Sequence, residues 1–205
     1  MKQIRMSEAK LQGVIESFLA IIESIESDEV RDALDHLMDE LGERFFECPA
    51  ADRLAYHNCF VGGLAEHSLR VYGNLLKLAK MFAPELHPDS LILVALMHDL
   101  GKLGSVETIY YLPQESEWHM EKMGQMYLQN PDLEYLGTAQ RSIRILGEFN
   151  VPMTDLEYKA ILIHDGQYVP ANKAYAHREG MLGLLLHQAD VLACRMEQEK
   201  WKAIQ

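Results

Sequence analysis

The sequence contains few cysteines, and their spacing excludes two common uses of this residue. There are three, Cys48, Cys59 and Cys194, an odd number scattered over the chain. None has the spacing of zinc-finger ligands, and such a set does not form the disulfide frame of a small secreted domain. The cysteines therefore indicate reduced thiols and predict a cytoplasmic protein.

Long hydrophobic runs are also missing. Hydrophobic residues make up 48% of the 205 residues, which is enough for one domain with a substantial core. No run approaches the roughly 18 apolar residues that a membrane span needs. The first five residues are followed by the acidic Glu8 and do not resemble a secretory signal. We therefore expect no membrane partner.

Positive charge is scarce. Lys and Arg number 19 against 31 Asp and Glu, so the net charge is -12 and the isoelectric point is about 5.1. This balance argues against a broad phosphate-binding surface for duplex nucleic acid. It does not exclude a small phosphorylated substrate, because bound metal ions supply positive charge locally.

Most of the chain has the apolar periodicity of amphipathic helices, which predicts an all-α fold. The pattern covers residues 6–25 and, after a cap at Ser27, a second helix that Cys48-Pro49 ends. We expect residues 1–50 to form a helical hairpin and residues 51–205 to form the main domain. The hairpin either covers the core, which we favour, or mediates formation of a homo-oligomer.

Further helices are predicted along the main domain. One follows Gly62-Gly63 and runs to about Phe82, and the next follows a cap at Asp89-Ser90. Residues 105–117 are expected to be irregular. Later helices are predicted near 117–129, 132–148, 155–165 and 178–200, the third of these with a capping box at Thr154 and Glu157.

A histidine and an aspartate, His98 and Asp99, stand together at the end of the apolar run 91–97. Both residue types bind divalent metals, and two polar groups at the edge of a buried segment are costly unless something satisfies them. A helix C-terminus with a capping histidine and a solvated aspartate explains the pair equally well. His67 and Asp190 also lie within apolar helical patterns.

Three segments together carry a family resemblance. In chain order they are "GGLAEHSLRV" around His67, "ALMHDLGK" around His98-Asp99 and "LLHQADVLA" around Asp190. They resemble the HD superfamily of metal-dependent phosphohydrolases over roughly residues 56 to 197. The branch most similar in motif is the HD domain of 3′-5′ exoribonucleases, in which a further histidine, here His57, precedes the histidine of the "GGLxEH" segment by ten residues. The resemblance implies an HD-domain helical bundle.

The resemblance also implies a set of metal ligands. One ion would take His67, His98, Asp99 and Asp190. Branches with two metals add histidines from the intervening helices, in the places held here by His119 and His164, with Asp99 bridging both ions. The alternatives are that His119 is a surface histidine on an amphipathic helix and that His164 is a satisfied core residue.

Substrate contacts follow less directly. In the superfamily a lysine after His-Asp-x-Gly commonly touches the substrate phosphate, a role that the resemblance assigns to Lys102; a cation favourable to a helix C-terminus is the compatible alternative. Arg144 is a further phosphate candidate, with a solvated helix face as the alternative. His57 either lines the pocket, joins the second metal or is structural. His187 shares a helix face with Asp190 and is a candidate for orienting it.

This ligand set predicts hydrolysis by a metal-activated water, with Asp99 and Lys102 as the catalytic residues. The mixed imidazole and carboxylate ligands suit two divalent ions of Mn, Fe, Co, Ni or Zn, and Mg is also compatible. The sequence shows no nucleophile elbow and no phosphate-cradling glycine loop.

Three functions compete at this point. The first is hydrolysis of a phosphate ester of a nucleotide or short single-stranded oligonucleotide. The second is a 3′-5′ exonuclease or a cyclic-nucleotide phosphodiesterase. The exonucleases carry a nucleic-acid-binding domain ahead of the HD domain, where this chain has two helices without a basic stripe, so processive RNA degradation is disfavoured. The third is a non-catalytic HD module that senses a ligand or scaffolds partners.

Overall fold

The N-terminal helices are an antiparallel pair that packs on the third helix. The computed structural model describes residues 4–167 and 169–202. Helix α1 spans Glu8–Glu23 and α2 spans Asp28–Glu47, each capped by a serine hydroxyl, Ser7 and the predicted Ser27. The Phe18 ring of α1 lies against the Phe45 and Phe46 rings of α2. The division of the chain at residue 50 stays a prediction.

Helix α4 is the centre of the molecule. Helix α3 spans Gly63–Phe82 and α4 spans Pro88–Met97, and every residue of α4 from 91 to 97 is buried. The predicted cap at Asp89-Ser90 is wrong, because His87 is the N-cap and Pro88 is the first helical residue. The Asp89 carboxylate instead accepts hydrogen bonds from the backbone N–H groups of Glu26 and Ser27, so it ties α4 to the turn of the hairpin.

The segment after α4 departs most from the predicted pattern. A short 3-10 helix, Leu100–Leu103, leads to strand β1 (Tyr111–Pro113), helix α5 (Glu117–Met123) and strand β2 (Tyr127–Gln129). The strands pair antiparallel. The helix predicted over 117–129 is wrong beyond Met123, because Gly124 takes a left-handed φ of 59° and ends it.

The last three helices complete the bundle. They are α6 (Thr138–Glu148), α7 (Asp155–Leu162) and α8 (Gly180–Lys202), with a 3-10 helix at Pro170–Tyr175 between the last two. The helix expected over 132–148 thus begins later, at Thr138. The predicted capping box of Thr154 and Glu157 is confirmed. Helix α8 packs along α3 and α7.

This arrangement confirms the predicted all-α bundle, with one small two-stranded sheet added. Helices α3, α4, α7 and α8 pack on one another, so residues far apart in sequence meet between them. Within the described ranges, no helix is both long enough and apolar enough to cross a membrane.

Candidate metal centre

Four helices bring together five of the six predicted ligands, all except His119. His67 lies on α3, His98 and Asp99 follow the last residue of α4, His164 follows α7, and Asp190 lies on α8. All are buried except Asp190, whose side chain is 15% exposed. The apolar runs around them therefore bring the ligands into the core, as the sequence pattern indicated.

Asp99 is at the centre of this group. Its Oδ2 atom lies 3.7 Å from His67 Nε2 and 3.5 Å from His98 Nε2, and its Oδ1 atom lies 3.6 Å from His164 Nε2. The two carboxylate oxygens thus face different histidines. This is the arrangement that a carboxylate shared by two ions would require.

Each of the three histidines is held by its other ring nitrogen. Nδ1 of His98 is 2.9 Å from the carbonyl oxygen of Ala95, and Nδ1 of His164 is 2.8 Å from that of Ile161. A carbonyl only accepts, so both Nδ1 atoms carry the proton, and Nε2 keeps its lone pair when the ring is neutral. Nδ1 of His67 is 3.0 Å from a carboxylate oxygen of Glu197. Partners of this kind fix the tautomer and the ring orientation of metal-binding histidines.

The inward-facing nitrogens fit a divalent ion. Among the described residues, the buried Nε2 atoms of His67 and His98 have no hydrogen-bond partner, although His67 Nε2 lies 3.1 Å from Asp190 Oδ1. Buried polar atoms without partners are uncommon, and a bound ion accounts for them. Imidazole nitrogens with carboxylate oxygens suit the divalent transition metals. The donor set therefore fits the predicted cofactor class.

The electrostatics of the site favour a bound cation. Burial lowers the pKa of His98 to about 4, so its ring is neutral at pH 7. Burial also lowers the pKa of His67, but the nearby Asp190 and Glu197 carboxylates outweigh it and raise the pKa to about 10. The carboxylates at the ligand cluster thus stabilise positive charge strongly. A divalent ion would satisfy the same charge.

Lys102 provides a cation at the edge of the site. Its Nζ atom lies 2.6 Å from Asp99 Oδ2 and its side chain is 14% exposed. Burial raises the pKa of the Asp99 carboxyl, but Lys102 and His98 lower it more, so that it stays well below its usual range. Lys102 also lines a surface cleft with Tyr110 and Tyr111. This position joins the ligand cluster to a solvent-accessible cleft.

His57 lies beside the cluster, next to His67. Its ring centroid is 4.7 Å from that of His67, and its Nε2 atom is 3.7 Å from Cys194 Sγ. It also lines a surface cleft together with Asp190. Its part in substrate binding stays a prediction.

Two predicted site residues lie apart from the described cluster. His119 belongs to none of the groups of close ligand atoms; its Nδ1 atom is 2.8 Å from Ser116 Oγ at the start of α5. Arg144 pairs with Glu148 at 2.9 Å and lines a different cleft, with Ser105 and Val106. The roles of His119 as a metal ligand and of Arg144 as a phosphate contact stay predictions.

His187 does not orient Asp190. Its Nδ1 atom is 2.7 Å from the carbonyl oxygen of His164, and its ring fills the space in front of Gly166, whose φ is 82°. A Cβ at Gly166 would lie 2.4 Å from this ring. His187 therefore supports the loop that presents His164.

Sequence reasoning missed two residues of α8, Cys194 and Glu197. Cys194 Sγ is 3.3 Å from Asp190 Oδ1, and Glu197 is 2% exposed, with its carboxylate between His67 and Arg70. Their spacing from Asp190, four and seven residues, places all three on one helix face. This spacing in the sequence could have indicated that both residues lie near Asp190.

Comparison with known proteins identifies the family. Residues 64–193, more than half of the chain, match the HD domain family. The chain belongs to the HD domain family. The predicted class, an HD-superfamily phosphohydrolase, is thereby confirmed at the level of the family.

Two curated relatives are similar in sequence to part of this chain. A 3'-5' exoribonuclease YhaM of Geobacillus sp. is 28% identical over 145 residues, which are 67% of this chain and 42% of that protein. A 3'-5' exoribonuclease YhaM of Bacillus licheniformis is 39% identical over 82 residues, 37% of this chain and 24% of that protein. The matches thus cover less than half the length of either relative. No solved structure matches the chain.

Proposed function

We propose that this HD domain hydrolyses a phosphate ester of a nucleotide or short oligonucleotide with a metal-activated water. The observation that carries the proposal is the convergence of three histidine Nε2 atoms on the Asp99 carboxylate, two of them buried without a hydrogen-bond partner. A catalytically silent module would not need three imidazoles held in fixed orientations around one carboxylate.

The proposed ligands are His67, His98, Asp99 and Asp190, with His164 beside the second oxygen of Asp99. When bound, divalent ions of this class lower the pKa of water and polarise a phosphoryl oxygen. Since the Nδ1 atoms of His98 and His164 are held by backbone carbonyls, their rings keep one orientation without reorganisation. Such preorganisation is what stabilises developing charge efficiently.

Lys102 is the proposed phosphate contact. Its ammonium group faces Asp99 and also borders the cleft with Tyr110 and Tyr111, so a phosphate in that cleft would meet a buried cation near the ligand cluster. Charge-assisted hydrogen bonds of this kind are about twice as strong as neutral ones. The net charge of -12 limits this attraction to the immediate site. We therefore favour a small substrate.

A 3′-5′ exoribonuclease is the second candidate. The activity of the two relatives, both 3'-5' exoribonucleases, favours it, as does the position of His57 ten residues before His67. Removal of single nucleotides from a 3′ end uses the same hydrolysis of a phosphodiester. The two candidates differ in whether a long strand is preferred to a short one.

A screen of substrates with a ligand variant tests the proposal. The protein is stripped of metal, reloaded with Mn, Co or Zn, and tested on nucleoside mono-, di- and triphosphates, cyclic nucleotides and single-stranded RNA of several lengths. We expect turnover that Asp99→Asn lowers at least about a thousandfold, while Glu121→Gln, at an exposed position of α5, leaves it unchanged. Absence of turnover on every substrate in metal-loaded protein would favour the sensing module instead.

A further inference from the structure

Beside the predicted ligands lies a sulfur-containing donor group. It consists of His57, His67 and Cys194, whose ligand atoms all lie within 4.8 Å of one another, with Asp190 next to them. Cys194 Sγ is 3.7 Å from His57 Nε2 and 3.3 Å from Asp190 Oδ1. His67 Nε2 is 3.1 Å from the same Asp190 oxygen.

These separations are those of ligands around one ion. Zinc binds nitrogen and oxygen at about 2.0–2.1 Å and sulfur at about 2.3 Å. In a tetrahedral site two such ligand atoms then lie roughly 3.3 Å apart, or roughly 3.6 Å apart when one of them is sulfur. The three distances above are within a few tenths of an ångström of these values. These three separations are therefore compatible with four ligands of one ion.

A second observation points to a ligand at this place. His67 is fully buried and its Nε2 atom has no hydrogen-bond partner among the described residues. Its Nδ1 atom is already bonded to Glu197, so Nε2 is the only ring nitrogen left to bind an ion. The atom lies within the group that contains Cys194, and a cation there would satisfy it.

We propose that the ion bound by His67 and Asp190 also takes His57 Nε2 and Cys194 Sγ as ligands. The thiol binds as a thiolate and releases its proton to solvent. His98 groups both with His67 and Asp190 and with Asp99 and His164, so it lies between this ion and a neighbouring ion that Asp99 and His164 would hold. A thiolate ligand selects a borderline-soft metal such as zinc or cobalt over magnesium. The cleft lined by Tyr56, His57, Asp190 and Cys194 gives that ion access to solvent.

Cobalt spectroscopy tests the sulfur ligand without measuring activity. We expect the cobalt-loaded protein to show a near-ultraviolet sulfur-to-cobalt charge-transfer band that is absent from the metal-free protein. Cys194→Ser removes the band while cobalt remains bound through the histidines and carboxylates. Cys59→Ser, at a buried cysteine in the separate apolar cluster with Met120 and Met126, retains it. His57→Gln weakens cobalt binding at least about tenfold without removing the band.

Zinc K-edge absorption on the unmodified protein keeps the test independent of any variant. One sulfur neighbour at about 2.3 Å supports the proposal; a shell of nitrogen and oxygen alone overturns it and leaves Cys194 as a hydrogen-bond donor to Asp190. A charge-transfer band that survives Cys194→Ser also overturns it. The sulfur ligand rests on the proposed function but can fail separately from it. Hydrolysis by a protein whose ion has no sulfur ligand would refute the sulfur ligand and leave the function standing. A sulfur-bound ion in a protein that hydrolyses none of the substrates would refute the function and leave the sulfur ligand standing.

Discussion

Removal of the Glu197 carboxylate is the most informative perturbation of the metal centre outside its ligands. Both oxygens of this residue are engaged, one 3.0 Å from His67 Nδ1 and the other 2.9 Å from Arg70 Nε. Glu197 touches no predicted substrate position, so it acts through the orientation of His67. We expect Glu197→Gln to weaken metal binding and Glu197→Ala to weaken it more.

The size of the effect follows from the hydrogen bond to His67. A hydrogen bond with a charged partner contributes about 1.5–3 kcal/mol and a neutral one about 0.5–1.5 kcal/mol. Glutamine keeps a neutral acceptor of the same shape, so it loses the difference, on the order of 1.4 kcal/mol or tenfold in affinity. Alanine loses the whole bond, at most about a hundredfold, since the metal-free protein also makes this bond. These factors agree with the 10–100-fold range for partners of metal-bound histidines.

The assay is competition for zinc or cobalt with a chromophoric chelator, using metal-free protein whose helix content is checked by circular dichroism. Glu121→Gln serves as the matched control, because it changes the same chemical group at an exposed position of α5. Affinities for both Glu197 variants within twofold of the parent would refute the reasoning, since His67 would then need no charged partner. A lower melting temperature with unchanged metal affinity would assign Glu197 a purely structural role.

The remaining predictions concern metal count, substrate binding and charge. His164→Ala should lower the metal content of the loaded protein by about one ion per chain, measured by plasma mass spectrometry. His119→Ala should leave the metal content unchanged, because His119 lies outside the described donor groups. A loss of metal with His119→Ala would instead confirm the ligand role that the sequence predicts. Lys102→Met should raise KM at least about tenfold through the loss of a charged phosphate contact, while the metal content stays the same. A loss of metal in this variant would show instead that Lys102 acts through Asp99. Binding of single-stranded RNA should depend on salt with a log–log slope of magnitude below about 3, since each neutralised phosphate contributes about 0.7; a steep slope with preference for long strands would favour the exoribonuclease.

The helical residues of the metal centre were predictable because periodicity and burial determine where they lie. His67 and Asp190 stand on the buried faces of amphipathic helices, so their helices had to bring them inward. His98 and Asp99 end the most apolar segment of the chain, which became the central helix. For these residues the local pattern and the tertiary position agree.

The region after α4 was less predictable because its structure depends on long-range pairing. The β1–β2 hairpin joins Tyr111 to Gln129 across a helix, and no local pattern specifies such a partner. Glu197 was missed for a different reason. A glutamate near the end of a charged helix reads as solvated, and only the packing of α8 on α3 shows that it is buried against Arg70 and His67.

Because the proposed ligands come from four separate helices, a bound metal would contribute to the stability of the fold. An unfolded chain cannot bring residue 67 and residue 190 to one ion, so the ion binds the native state almost exclusively. By mass action, an ion present at a hundred times its dissociation constant then adds about 2.7 kcal/mol to the free energy of unfolding. That is a large share of the 5–15 kcal/mol typical of a domain. A metal bound by the proposed ligands would thus also be a cross-link of the bundle, and we expect chelators to lower the melting temperature as well as the activity.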